Sequence, residues 1–76
     1  MNRFFGLMPS NEVEIQRKYK DCFDNDLIIQ AGQKGWTIVY VNGSSTYKDE
    51  ELTAKENFDN AYKYANNELG ILTEIE

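Results

Sequence analysis

The side chains that most often carry catalysis and metal binding are scarce in this sequence. It has no histidine, so the commonest general base and the commonest metal ligand are both missing. Cys22 is the single cysteine, which excludes an internal disulfide and a zinc site built from cysteines. Without a histidine to activate it, the Cys22 thiol is expected to be buried or idle rather than nucleophilic. The sequence therefore predicts a non-enzymatic protein without a cofactor.

Carboxylates are plentiful, but their spacing fits neither a metal loop nor a catalytic pair. Asp21, Asp24 and Asp26 lie close together, as they would in a calcium-binding loop. Counting from Asp24, however, Ile29 and Gly35 occupy the positions that an EF-hand reserves for glycine and glutamate. No two acids are flanked by the apolar residues that would raise one carboxyl pKa for acid–base catalysis. These acids predict neither metal binding nor catalysis.

The acidic residues are concentrated in the second half of the chain. The net charge is −5, and the excess of acids lies after Ile38, most densely between Asp49 and Asp59. Acids near the start of a helix are also typical of a solvated helix face, where the helix dipole favours them. The functional interpretation is an acidic surface that binds or inhibits a basic protein, as nucleic-acid mimics of phages and mobile elements do. Its predicted binding residues are Asp49, Glu50, Glu51, Glu56 and Asp59.

A helix over residues 53–70 is the clearest element in the sequence. Thr53 precedes Glu56 by three residues, which is the spacing of a capping box. Gly70 is placed to close the helix in a left-handed conformation, and Ile71 to make the apolar contact just beyond it. Apolar residues recur in steps of three and four along one face, which predicts a stripe that packs on the rest of the protein: Phe58, Ala61, Tyr62, Ala65 and Leu69.

Antiparallel strands are predicted before this helix. The run from Gly35 to Val41 is the strongest strand signal, because it consists almost entirely of β-branched and aromatic residues. A tight connection at 32–35 joins it to a shorter strand at Leu27–Ala31. The Asn42-Gly43 dipeptide is typical of a type I′ turn and predicts a returning strand at 44–48.

The region from Asn11 to Phe23 fits two interpretations. As a strand, it places Val13, Ile15 and Tyr19 on one face. As a helix, it begins with a capping box and carries a stripe that includes Ile15 and Tyr19. We favour the strand, because a long helix needs more sheet to cover than one hairpin provides. A turn is then expected at 24–26.

Together these elements predict a single α+β domain over residues 1–76. It consists of an apolar N-terminal segment (1–10), a small antiparallel meander of three to four strands (11–49), one long C-terminal helix packed on one face (53–70) and a tail (71–76). Trp36, Ile38 and Tyr40 should lie under the helix. The opposite face, with Thr37 and Val39, is apolar enough to need a cover, either the 1–10 segment or another chain.

Nucleic-acid binding is the alternative function. A sheet with one helix behind it is similar in layout to some DNA-binding domains of integrases and plant transcription factors, and the available basic residues are Arg17, Lys18, Lys20 and Lys34. The acidic balance opposes this alternative, because phosphate contacts draw their free energy from lysine and arginine. We therefore expect a basic protein partner rather than nucleic acid or a membrane. We further expect a cytoplasmic protein that is a monomer or a weak homodimer. A self-associating structural protein is a further alternative function.

Overall fold

An antiparallel sheet and one long helix make up the described part of the chain, which is residues 10–40 and 45–75 of a computed structural model. The elements follow one another as a 3₁₀ turn (Ser10–Glu12), β1 (Ile15–Lys20), β2 (Asp26–Gly32), β3 (Gly35–Tyr40), β4 (Ser45–Asp49), α1 (Ala54–Leu69) and β5 (Thr73–Glu74). The sheet order is β4-β3-β2-β1-β5, and every pairing is antiparallel. The fold is therefore α+β with a single helix packed on the sheet.

The sheet has five strands in the described residues, rather than the three to four predicted. The ambiguous region is a strand at β1, as favoured, and the additional strand is β5, which the sequence presented as a tail. Leu72 is buried in the core and holds the tail against the sheet, so that Glu74 pairs with Tyr19 of β1. The predicted contact of Ile71 is wrong: its side chain is 80% exposed, and Leu72 takes the buried position.

The start of α1 is closed as the sequence predicts, whereas its end lies at the predicted residue, Gly70, but not in the predicted left-handed helical conformation. The Glu56 backbone N–H donates to Thr53 Oγ1 at 3.1 Å, and the Thr53 N–H donates to Glu56 Oε1 at 3.2 Å. Gly70 ends the helix with φ 83° and ψ −153°, and its N–H donates to the carbonyl of Asn66. This backbone conformation is open to glycine and strained for other residues. The helix therefore begins and ends where its capping residues stand.

The β1–β2 turn lies slightly earlier than predicted. The carboxylate of Asp21 accepts hydrogen bonds from the backbone N–H groups of Phe23 and Asn25, at 2.8 and 2.9 Å. These bonds, chiefly that of Asn25, lower the pKa of Asp21. Asp24 adopts a positive φ of 68°, and Asp26 already belongs to β2 rather than to the turn. An aspartate that binds its own turn therefore organises this reversal.

The core lies between α1 and the face of the sheet that carries Trp36 and Ile38, as predicted. Ile29, Ile38, Ala61 and Ala65 are completely buried there. The larger residues of the predicted stripe pack around them and are only half-buried: Phe58, Tyr62 and Leu69, with Tyr40 of the sheet. The two alanines allow the helix to approach the sheet closely, so the bulky side chains flank the contact instead of filling it.

The opposite face of the sheet is only partly apolar. Thr37, which alternates with Trp36 and Ile38 along β3, is completely buried, whereas Ile28 and Val39 are half-buried. The predicted cover for this face, the 1–10 segment, lies outside the described residues except for the backbone of Ser10, as do Val41 and the Asn42-Gly43 turn. Within the described residues, no helix has the length and apolar character needed to cross a membrane.

Candidate functional site

The connection between β4 and α1 is fixed against the β2–β3 hairpin by hydrogen bonds. The backbone N–H of Glu50 donates to the carbonyl of Lys34 at 3.0 Å. The side-chain amide of Asn57, which is completely buried, donates to the carbonyls of Gly32 at 2.6 Å and Glu50 at 2.9 Å. Buried carbonyls need such donors, because an unpaired one is costly. The backbone that carries the acidic residues is therefore held in a defined position.

Three of the five predicted binding residues come together at this connection. Asp49, Glu50 and Glu51 line a surface depression of about 260 Å³, and we call these three residues the acidic end. Lys34 of the neighbouring hairpin lines the same depression. In the described part of the chain, neither Glu50 nor Glu51 makes an ion pair with a basic side chain. The acidic end therefore presents two carboxylates that make no ion pair in the described residues, with Lys34 as the nearby cation.

The other two predicted binding residues have structural partners within the helix. The carboxylate of Glu56 accepts the hydrogen bonds of the capping box from the backbone N–H and side-chain hydroxyl of Thr53. Asp59 lies 3.4 Å from the ammonium of Lys55, one turn earlier on the same helix. Exposed pairs of this kind contribute little to stability. Glu56 is thus an integral part of the helix start, and Asp59 is partly neutralised.

The basic residues of the nucleic-acid alternative do not form one surface. Arg17 lies 3.6 Å from Glu74, and Lys20 lies 2.7 Å from Asp26. The hydrogen bond to Asp26 raises the pKa of Lys20. Lys18 alternates with Arg17 along β1 and therefore points to the other face of the sheet, whereas Lys34 lies beside the acidic end. Three of the four cations therefore lie next to carboxylates, and the four do not converge.

A groove between β4 and α1 is a feature that the sequence analysis missed. It has a volume of about 520 Å³, and its lining includes Trp36, Thr46, Lys48, Glu50, Asn60 and Tyr64. The rings of Trp36 and Tyr64 are tilted by 45° with their centroids 5.5 Å apart. Steps of three and four connect Asn57, Asn60 and Tyr64 in the sequence, which was the available signal for a second, polar and aromatic face of the helix. We call this cavity the Trp36 groove.

Two reactive groups outside these surfaces have ordinary structural roles. Tyr19 packs against Tyr62 with ring centroids 5.5 Å apart, and burial, assisted by the negative charge of Glu74, raises the pKa of its phenol. Cys22 is exposed rather than buried, and its thiol lies 3.5 Å from the carbonyl of Leu69 at the end of α1. Across residues 10–40 and 45–75, no three acidic or cysteine side chains converge to hold a metal ion.

No protein family, curated protein sequence or solved structure matches this chain. The function therefore has to be inferred from the chemistry of the two surfaces just described. The acidic end presents carboxylates, and the Trp36 groove beside it presents the exposed ring of Tyr64. Glu50 lines both the acidic depression and the groove, so the two surfaces are continuous.

Proposed function

We propose that this chain is a small, non-enzymatic protein-binding module, accessory or inhibitory, which recognises a basic partner through the acidic end. The observation that carries the proposal is the pair Glu50 and Glu51, which make no ion pair in the described residues, on a connection whose backbone is hydrogen-bonded at Glu50. Carboxylates presented in this way complement a positive surface and speed its encounter. The net charge of −5 likewise attracts a positively charged partner.

Preorganisation supports the proposal. The backbone N–H of Glu50 donates to the carbonyl of Lys34, and the backbone carbonyl of Glu50 accepts from the side-chain amide of Asn57. A partner that binds here does not have to order this part of the backbone, which lowers the entropic cost of association. Glu56 is left out of the proposed contact surface because its carboxylate closes the helix. Asp59, one turn further along the helix, lies at the periphery of the proposed contact surface.

A pull-down from the native host tests the proposal. The bait is compared with a variant in which Glu50 and Glu51 are changed to glutamine, which removes two charges and leaves the backbone hydrogen bonds in place. The matched control changes Asp24 to asparagine and Glu74 to glutamine, which also removes two charges, at exposed positions of other elements. We expect one basic protein to be captured by the wild type and the control, to be lost from the Glu50/Glu51 variant, and to elute as salt is raised.

Two results would contradict this function. If the Glu50/Glu51 variant retains the same partner at the same salt, the acidic end is not the contact surface. If no partner is captured and light scattering shows a stable dimer, the half-buried apolar residues on the second sheet face, Ile28 and Val39, become the better candidate for an interface between copies of the chain.

A further inference from the structure

The Trp36 groove exists because the helix is narrower than the sheet. α1 packs mainly on β2 and β3 and leaves the edge strand β4 outside its footprint. Thr46 and Lys48 pair with Ile38 and Trp36 across the sheet, and therefore share the helix-facing side. The result is a step between the helix and β4, open to solvent and of the size typical of ligand sites.

Trp36 contributes to the wall of this groove but is almost completely buried. It is 4% exposed, and its indole Nε1–H is buried without a hydrogen bond in the described part of the chain. An occupant of the groove therefore does not reach this N–H, which can report on binding without being a contact. Tyr64, 40% exposed beside Trp36, adds an accessible aromatic face.

The exposed ring of Tyr64 and the neighbouring acidic end together favour a cationic side chain in the groove. Glu50 lines the groove and connects it to the acidic end, whereas Lys48 is the single cation in its lining. Aromatic faces attract cations, and a guanidinium can stack on a ring while donating to a carboxylate. Lysine fits less well, because its ammonium is a compact, strongly hydrated point charge that cannot stack flat on a ring.

We infer that the Trp36 groove binds an arginine side chain of the basic partner. The guanidinium stacks on Tyr64 and donates to the Glu50 carboxylate. The inference rests on the proposed function, since it names the residue type through which the partner is recognised.

A peptide titration followed by NMR tests this inference without the partner. The probes are blocked Gly-Arg-Gly peptides and matched peptides with lysine, citrulline or glutamate in place of arginine. Because Trp36 is the only tryptophan, its indole N–H gives a single assignable signal. We expect the arginine peptide to shift this signal saturably and to bind more tightly than the other three. Equal or stronger binding of the glutamate or citrulline peptide would overturn the inference.

Four single substitutions test which residues contribute to the affinity for the arginine peptide. Glu50→Gln and Tyr64→Leu should each weaken the arginine peptide by about two- to fivefold. Lys48→Gln should leave its affinity equal or higher, because it removes a repulsive charge. Glu51→Gln, a matched change outside the groove lining, should alter the affinity less than Glu50→Gln. A loss with Lys48→Gln and a gain with Glu50→Gln would instead assign an anionic occupant and overturn the inference.

The two proposals fail in different ways. If the partner depends on Glu50 and Glu51 but is retained by Tyr64→Leu, and no arginine peptide shifts the indole signal, the acidic end stands and the arginine site is wrong. If the arginine peptide binds as described but the captured partner is indifferent to the loss of Glu50 and Glu51, the proposed function is wrong.

Discussion

The side-chain amide of Asn57 lies 2.6 Å from the backbone carbonyl of Gly32 and connects the first turn of α1 to the β2–β3 hairpin. A second hydrogen bond, to the carbonyl of Glu50, reaches the chain that enters the helix. A polar residue that is completely buried is costly unless it is paired, and here its nitrogen satisfies two carbonyls. Asn57 therefore joins three segments that are distant in sequence.

Replacing Asn57 by alanine should destabilise the protein by about 1–3 kcal/mol, because the Gly32 carbonyl loses this buried donor and the Glu50 carbonyl keeps only the N–H of Leu52. Urea unfolding followed by circular dichroism measures this loss as a lower midpoint with an unchanged slope. Asn67→Ala, on the exposed side of the same helix, is the control and should change the stability by less than about 0.5 kcal/mol. Equal stabilities of the two variants would show that the Asn57 amide is not a structural link.

Thr53→Ala should lower the free energy of unfolding by about 1 kcal/mol, because the Glu56 N–H loses the Thr53 hydroxyl as its acceptor. Thr53→Ser keeps the hydroxyl and should retain most of the stability. The same unfolding experiment measures both variants. A serine variant as unstable as the alanine variant would mean that the threonine methyl group, rather than the cap, matters.

The two glycines with positive φ should respond differently to alanine. At Gly35, φ is 152° and an added Cβ would lie 2.1 Å from the carbonyl oxygen of Lys48 on the neighbouring strand. At Gly70, φ is 83°, but an added Cβ would meet only Cys22 Sγ, at 3.9 Å, which is an ordinary van der Waals contact. Both variants incur backbone strain of about 1–3 kcal/mol, and Gly35→Ala must also displace β4. We therefore expect the lower melting temperature for Gly35→Ala, and the reverse order would contradict this account.

Tyr19 should make the protein sensitive to alkaline pH. Its pKa is raised in the folded state, chiefly by burial, so the folded protein holds the phenolic proton more tightly than the unfolded chain does. The stabilisation is complete below the ordinary pKa of 10.0 and is lost as the pH rises above that value through the folded pKa. Tyr19→Phe should therefore reduce the fall in melting temperature at alkaline pH, whereas an identical fall in both proteins would exclude Tyr19 as its source.

Nucleic acid should not bind tightly at physiological salt. Arg17, Lys20 and Lys34 lie beside carboxylates, so a phosphate backbone would have to compete with them in a protein of net charge −5. A gel-shift titration with duplex and single-stranded probes measures this directly. Sub-micromolar affinity that weakens with salt and is lost on replacing these residues and Lys18 by glutamine would contradict the prediction.

Local patterns in the sequence predicted those parts of the fold that depend on neighbouring residues. The capping box of Thr53 and Glu56 requires a spacing of three residues, and the alternation around Trp36 requires only that β3 be extended. The strand β5 was missed because its short sequence carries little propensity of its own. It forms because Leu72 finds a place in the core, which is a property of the assembled sheet.

The candidate site was only partly predictable for the same reason. The acidic end was found because charge density is visible in the sequence, yet the commitment of Glu56 to the cap and of Asp59 to Lys55 depends on side-chain geometry. The buried position of Asn57 was missed, since asparagine is usually exposed and its burial depends on carbonyls from distant segments. The Trp36 groove depends on where the helix lies across the sheet, which no local pattern encodes.

The position of β5 at the edge of the sheet has a consequence for folding. β1 to β4 are joined by short connections, whereas the pairing of Tyr19 with Glu74 unites residues more than fifty positions apart. Closing such a long loop is slow and is compensated by only a two-residue strand, so this pairing should form late and open first. The amide of Ile75, bonded to the carbonyl of Lys18, should therefore exchange its hydrogen while the amides of β2 and β3 stay protected.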